Sequence, residues 1–390
     1  MGVATATRSF SAGIMQRYPL PDLLSIRLPL ATLLLLPVLA PTVLPSSRLL
    51  SLAVTAAIFV IVANGLHIIF SYTGQLSLAH TALLGLGAYS AALFVIHYDV
   101  PTLALIPLAG AFGALGAIAI GIPAFRTAGF SFAIITFAFA EIMRLVANNW
   151  TDLTKGSIGL TVTQAPDSIG PMHLDPFNNL DNFYYFTLAF AYLSLLGIFF
   201  VRQSSLGRTF IAIRENEALA KSVGINVYLY KMIAFAISGF FAGAAGVFLL
   251  YHQRHIDAGQ LSPFTAFTTI QYLLMILIGG RMSMLGPVLG AFVVVFGPEI
   301  TNSIFGDVLT PNRIQMIFGA VLAMSVLTAP NGIAGQTREG FRTFVASLRG
   351  SRARGENIVA GFLIAFVSGV VPGLAQQRLN EAQPEEHGTR

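Results

Sequence analysis

Long apolar segments separated by short polar ones dominate this chain. With a span of about twenty residues as yardstick, apolar segments fall near 28–44, 48–70, 80–96, 102–122 and 128–148, and after a polar stretch near 183–202, 231–251, 264–280, 286–303 and 312–329. The pattern predicts an all-α fold, a polytopic transmembrane helical bundle of about eight to ten spans, in which some short or Pro/Gly-broken segments are broken or re-entrant helices. It also divides the chain into an N-terminal cytoplasmic segment, 1–27, a transmembrane domain, 28–335, and a C-terminal extension, 336–390. The extension begins with a basic linker, 336–357, and continues into an apolar stretch, 358–374, at the short limit for spanning, which reads either as an extra span or as a surface segment. Arg8, Arg17 and Arg27 precede the first apolar run, which Pro29, Pro37 and Pro41 interrupt, and no small-residue cleavage site follows convincingly. That run therefore reads as a retained first span and not as a signal peptide.

The polar interruptions carry the information. The most basic of them, the island from Gln203 to Lys231, carries with its edge five of the chain's 22 basic residues: Arg202, Arg208, Arg214, Lys221 and Lys231. Loop cations mark the side of a membrane that is not translocated, so this island faces the cytoplasm. Counting spans outward from it puts fifteen basic residues inside, among them Arg126 and Arg281, and four outside, Arg48, Lys155, Arg254 and Arg313. Within the island Asn216 can cap a short helix with Glu217 in its first turn, Lys221 in its last and Gly224 as a left-handed stop. Leu219 and Val223, four residues apart, give that helix an apolar ridge fit for a partner's groove. The plain alternative is a solvated loop that only supplies topogenic charge.

Four further features stand out along the chain. Ser71 to His80 (SYTGQLSLAH) is a polar stretch between two apolar runs, and non-helical backbone at membrane depth survives only when buried in protein or lining a wet cavity. Gly74, Gln75, Ser77 and His80 are thus candidates to line a pathway, against a tight turn with satisfied side chains. Gly279 to Gly290 (GGRMSMLGPVLG) is a second such break, led by Gly279 and Gly280, with a G-x-x-x-G at Gly286 and Gly290. That spacing, repeated at Gly239 and Gly243 and among Gly113, Ala117 and Gly121, marks close helix packing. Glu141 and Arg144 form an ion pair one turn apart near the outer end of a span, either neutralising each other or serving gating or an outer partner. The outer segment from Asn148 to Asn182, with the loop itself at 149–182 and Trp150 at its start, is large enough to meet a soluble partner, or is a connector with an aromatic anchor.

Composition, 55% hydrophobic and 10% charged in 390 residues, excludes a soluble domain. With no cysteine there is neither a disulfide framework nor a thiolate metal site. No metal site, catalytic residue or cofactor is expected, because the chain lacks G-x-x-x-x-G-K-[ST], H-E-x-x-H and G-x-S-x-G. The net charge of +5 lies mostly on the cytoplasmic side and calls for no nucleic acid. What remains is a channel or carrier whose energy comes from elsewhere.

The run GLHIIFSYTGQLSLAHTALLGLGAYSAAL (Gly65 to Leu93) resembles the G-Y-x-G-Q-x-S-L-G-H-A-A-F-x-G-x-G-A-Y segment of the LivM/LivH-type permeases of high-affinity branched-chain amino acid ABC importers. FRTAGFSFAIITFAFAEIMRLV (Phe125 to Val146), the G-S-x-G-L of Gly156 to Leu160, LGRTFIAIRENEALAKSVGIN in the island, GGRMSMLGPVLGA (Gly279 to Ala291) and the TAPNGIAG ending at Gly335 follow in the family's order, and the Phe125 to Val146 block points to the LivM branch. The resemblance implies a multi-pass permease subunit of the bacterial inner membrane, embedded in lipid and paired with a second, LivH-type permease. It further implies two cytoplasmic ABC ATPases that hydrolyse the ATP, and a periplasmic substrate-binding protein. The substrate would be a branched-chain amino acid, with urea or a short amide as the nearest rival and a self-contained secondary carrier as the rival from another class. The island at 203–230 would be the coupling loop, with Arg208, Arg214, Glu215, Glu217, Leu219, Val223 and Gly224 at the ATPase. Two positions depart from the pattern: Glu217 stands seven residues before Gly224, one residue off the usual E-A-A to glycine spacing, and Ala79 replaces the family's glycine before His80.

Overall fold

The computed structural model describes residues 37–39, 41, 46–127, 129–163, 174–175, 179–259, 264–305 and 319. The segments expected near 28–44 and 312–329, apart from five of these residues, and those at 1–27, 336–357 and 358–374 lie outside them. Contacts divide the chain into Met1–Leu50 and Ser51–Arg390. The first unit holds a short turn, Pro37–Leu39, and the opening residues of a helix that continues into the second.

That helix, α1 (Ser47–His67), runs on through a π-helical turn, Ile68–Tyr72. It is followed by α2 (His80–Tyr98), α3 (Thr102–Ala124), α4 (Phe130–Asn149) and, after the outer segment, α5 (Leu180–Gln203). The island folds as α6 (Ser205–Glu215) and α7 (Glu217–Ser222), then α8 (Val227–Gln253), α9 (Ala266–Gly279) and α10 (Gly286–Phe305) complete the described helices. Among the described residues six helices are long and apolar enough to cross a membrane: α1 with its π turn, α2, α3, α4, α5 and α8. The stretches 268–279 and 286–302 of α9 and α10 are apolar but shorter. The all-α polytopic bundle is as expected. The count of eight to ten spans is not reached by these six, because α9 and α10 fall short in length and the terminal candidates lie outside the described residues.

Helix α8 forms the centre, packed against α2 and α3. The reason is in the small residues: a Cβ added to Gly243 would stand 2.4 Å from the Ala109 carbonyl oxygen and 2.9 Å from Gly113 Cα, so the α3 and α8 backbones touch. In lipid, where apolar surface gains nothing by leaving an equally apolar solvent, such close backbone approach is what drives association. Conversely Phe130, Ile134, Ile142 and Leu145 on α4 are exposed, the state expected of a lipid-facing surface.

Alternating helix directions give the bundle two chemically different ends. At one end lie the island, the Ser71–Ala79 segment and the α9–α10 turn: Tyr228 Oη donates to the Ile122 carbonyl, and Arg281 reaches the Phe70 carbonyl. At the other, Leu160–Thr161 pairs antiparallel with His255–Ile256, and Arg144 Nη1 donates to the Ala258 carbonyl at 2.8 Å. Arg202, Arg208, Arg214, Lys221, Lys231 and Arg281 thus share one end, as the count of loop cations requires.

Candidate functional site

At the basic end, helix α6 is capped by Ser204, whose side chain accepts from Gly207 N at 3.3 Å. Phe210 and Ile213 turn inward from α6 and are buried, whereas Arg208 donates to the Gln203 carbonyl at the surface. Asn216 separates α6 from α7 in an extended conformation, and its side-chain oxygen accepts from Leu219 N at 2.9 Å, the expected N-cap. Gly224 closes the turn with φ of 86°. Ala220 packs on Ile213 and Val227, which seats α7 on the bundle. Leu219 and Val223 stay 62% and 69% exposed, so the apolar ridge points away from the protein.

The charged members of the island are divided between two directions. Glu215 is 59% exposed and pairs with Arg214 at 2.6 Å. Glu217 turns back to the bundle, bonding Lys231 at 2.7 Å and Lys221 at 3.2 Å. Lys231 is buried at the start of α8, so this pair anchors α7 to the central helix. Partial burial opposes ionisation of Glu217, but the hydrogen bonds and charges of Lys231 and Lys221 outweigh it and hold the carboxyl below its ordinary range. Arg214 also points inward. Its side chain is only 13% exposed, and Nη1 donates to the Ser71 carbonyl at 2.6 Å.

That contact reaches the broken span. After the π turn, a rare geometry that concentrates at functional positions, Gln75 N bonds back to the Ile69 carbonyl and the chain leaves the helix. Gly74 has φ of 76°, and a Cβ there would sit 3.0 Å from Arg214 Cγ, so glycine suits both the backbone and the arginine. From exposed Gly74 the segment runs inward: Gln75 is half-buried, Ser77 buried, and Leu78 N donates to Thr136 Oγ1 of α4 at 3.0 Å. At its end His80 is fully buried, its Nε2 2.6 Å from Ser238 Oγ, which also donates to the Gly65 carbonyl at 2.7 Å. Ser238 lies eleven residues into α8, about 16 Å from its start at 1.5 Å per residue. Helix α2 therefore starts deep in the bundle, and a side chain replaces the missing turn: Thr81 N and Oγ1 both meet Thr269 Oγ1 of α9, at 3.2 and 2.9 Å.

The remaining candidates are elsewhere. Gly279 and Gly280 lie in the α9–α10 turn, where a Cβ on Gly279 would come 1.7 Å from the Gly286 carbonyl oxygen, so this stretch forms a close-packed hairpin at the basic end. Glu141 and Arg144 pair near the opposite end, where Arg144 also holds the loop after α8 through Ala258. Sequence reasoning missed α6, although Ser204 followed by an amphipathic run was an available signal. It also missed the contacts of Arg214 and Ser238, which join residues 143 and 158 positions apart and leave no local trace. Among the described residues no group of three or more His, Cys, Asp or Glu could hold a metal ion.

Comparison with known proteins agrees with this architecture. The chain is 27% identical over 346 residues to the high-affinity branched-chain amino acid transport system permease protein LivM of Escherichia coli (strain K12), covering 83% of this chain and 78% of that protein. It is 27% identical over 327 residues to LivM of Salmonella typhimurium, covering 78% and 73%. The permease protein LivH of E. coli K12 is more distant, 24% identical over 298 residues, covering 71% of this chain and 91% of LivH. No solved structure matches the chain. The model of the family described as "Branched-chain amino acid transport system / permease component" matches residues 48–327, and the chain belongs to that family.

Proposed function

We propose that this chain is a LivM-type permease subunit of an ABC importer that carries leucine, isoleucine, valine or a related amino acid across the inner membrane. It works beside a LivH-type permease, receives substrate from a periplasmic binding protein and hydrolyses no ATP itself. Of the two cytoplasmic ATPases, one docks on the α7 ridge of this chain, with Leu219 and Val223 in its groove and Arg208 and Glu215 at the rim. The contact between Arg214 and the Ser71 carbonyl carries this reading. Through it, a displacement of α6 and α7 reaches the hinge at Gly74, and from there the buried segment that leads to His80 and the start of α2. Arg214 and Glu217 are positioning residues here: they join the docked helix to the bundle, while Leu219 and Val223 meet the partner. A chain without an engine of its own needs such a link, because only an interaction that differs between two states can shift their balance.

The test is the double variant L219E/V223E. Both side chains are mostly exposed, so the chain folds and inserts normally. Co-purification of the ATPase subunits is lost, and uptake of radiolabelled leucine into proteoliposomes falls to background. Undiminished co-purification and uptake would remove the docking assignment.

A further inference from the structure

Helix α4 is the least buried of the six spans, and its exposed side is not uniformly apolar. Ser131, Ile134, Ala138 and Leu145 are exposed, and with Glu141 they follow one another along the helix at steps of three, four, three and four residues. That alternation keeps them on one narrow stripe, the kind by which paired helices interlock. Within the stripe the Glu141 side chain is 37% exposed. It stands eight residues before the helix end at Asn149, about 12 Å inside the span at 1.5 Å per residue. The other exposed apolar helices differ. Leu115 and Ile118 on α3 and Leu196 and Phe199 on α5 face outward too, but α3 has no charged residue, and α5 has them only in its first and last turns, at Asp181 and Arg202.

Lipid accommodates the apolar members of this stripe but not the carboxylate, since a charge at such depth faces protein or water. Arg144 does not cover it. Its side chain is only 11% exposed, and Nη1 donates to the Ala258 carbonyl at 2.8 Å, while Nε donates to both Glu141 oxygens and Nη2 to Oε1. An ionised carboxylate has about four lone-pair sites, so Oε2 keeps one for a donor from outside. What covers α4 is therefore an apolar helix with a cation or donor at one level. A second copy of this chain does not meet that description: a two-fold axis along the membrane normal would set Glu141 against its own equivalent. With each arginine already committed, that like-charge contact is unfavourable. The partner is a different chain.

We propose that the stripe of Ser131, Ile134, Ala138, Glu141 and Leu145 is the seam on which a span of the second permease packs, and that this span offers Glu141 a cationic or hydrogen-bond-donating side chain. Ser131 and Ala138 are small and let the two backbones approach, while the polar contact fixes the register of one helix on the other. The assignment rests on the reading of this chain as one member of a permease pair.

Photocrosslinking in the assembled complex tests it, with benzoylphenylalanine at Ile134 or Leu145 and the adducts mapped by mass spectrometry. Both positions give adducts with the second permease, whereas Leu115 on α3 and Leu196 on α5 give adducts with lipid. A138W adds bulk at an exposed position, so the chain itself still folds, and the second permease recovered with it falls roughly ten-fold, the low end of the penalty for overpacking a close contact. L115W leaves that recovery unchanged. E141Q keeps an acceptor for Arg144 but loses the charge, and lowers recovery roughly five-fold, the difference between a charged and a neutral hydrogen bond. Recovery unmoved by A138W or by E141Q would overturn the proposal. Labelling of A138C by a membrane-impermeant thiol reagent in the complex would do so too, assigning the face to an aqueous path; the chain has no cysteine of its own, so label on it reports that position alone. If no second permease co-purifies with the wild type, the pair itself falls. If the pair forms but Ile134 and Leu145 crosslink only to lipid, to this chain or to a second copy of it, this inference alone falls.

Discussion

Replacing Arg214 by glutamine breaks the link between the island and the broken span and leaves both partners in place. The lost bond is a charged donor on a backbone carbonyl at 2.6 Å, from a side chain only 13% exposed. Such a bond contributes about 2 kcal/mol, and the arginine's position at the C-terminus of α1 adds about 0.5 kcal/mol. Together, about 2.5 kcal/mol corresponds to roughly a sixty-fold change in an equilibrium constant. If that free energy holds the Ser71–Ala79 segment to the motion of α6 and α7, its loss appears as uncoupling: ATP hydrolysis by the reconstituted complex persists, while leucine taken up per ATP hydrolysed falls by more than ten-fold. R214K recovers part of the effect, because an ammonium can reach the Ser71 carbonyl but cannot offer a second fork to Glu215. The assay is simultaneous measurement of phosphate release and radiolabelled uptake in proteoliposomes, with thermal unfolding of the isolated chain as a control for folding. Wild-type uptake per ATP in a correctly assembled R214Q complex would refute the reasoning.

Two other outcomes follow from the same geometry. Ser238→Ala removes the partner of both His80 Nε2 and the Gly65 carbonyl at a fully buried node, costing about 1–3 kcal/mol, and lowers the melting temperature of the purified chain, whereas Ser222→Ala on the surface of α7 does not. The depressed pKa of Glu217 makes its contribution to seating α7 fully present above about pH 4.5, the ordinary carboxyl value, and lost as pH falls through the lower folded value; protease accessibility of the island should rise over that acid range in the wild type and be pH-independent over it in E217Q.

The island illustrates how far local patterning reaches. The Asn216 cap, the left-handed Gly224 and the Leu219/Val223 ridge were all readable, because each depends on residues within a few positions of one another. The direction of the charges was not. Arg214 and Glu217 have the composition of a solvated surface, yet both turn inward, because Ser71 and Lys231 wait beneath them. His80 shows the same limit: its place in a polar stretch marked it as a pathway candidate or a satisfied turn, and only the crossing of α2 over α8 supplied Ser238 as its partner. Which end of the bundle a glycine pair occupies is equally non-local, and Gly279 and Gly280 proved to belong to a hairpin turn.

Hydrophobic runs of span length, the uneven distribution of arginine and lysine, and a set of ordered motifs were sufficient to establish a helical membrane protein and its family. Those properties follow from one-dimensional facts, since the bilayer tests length and charge segment by segment. The depth at which α2 begins, the embrace of α3 and α8, and the meeting of Arg214 and Arg281 at the end of α1 emerged only in three dimensions. They depend on which helices become neighbours, and in a solvent as apolar as the helices themselves that choice rests on backbone fit and buried hydrogen bonds between residues far apart in the chain.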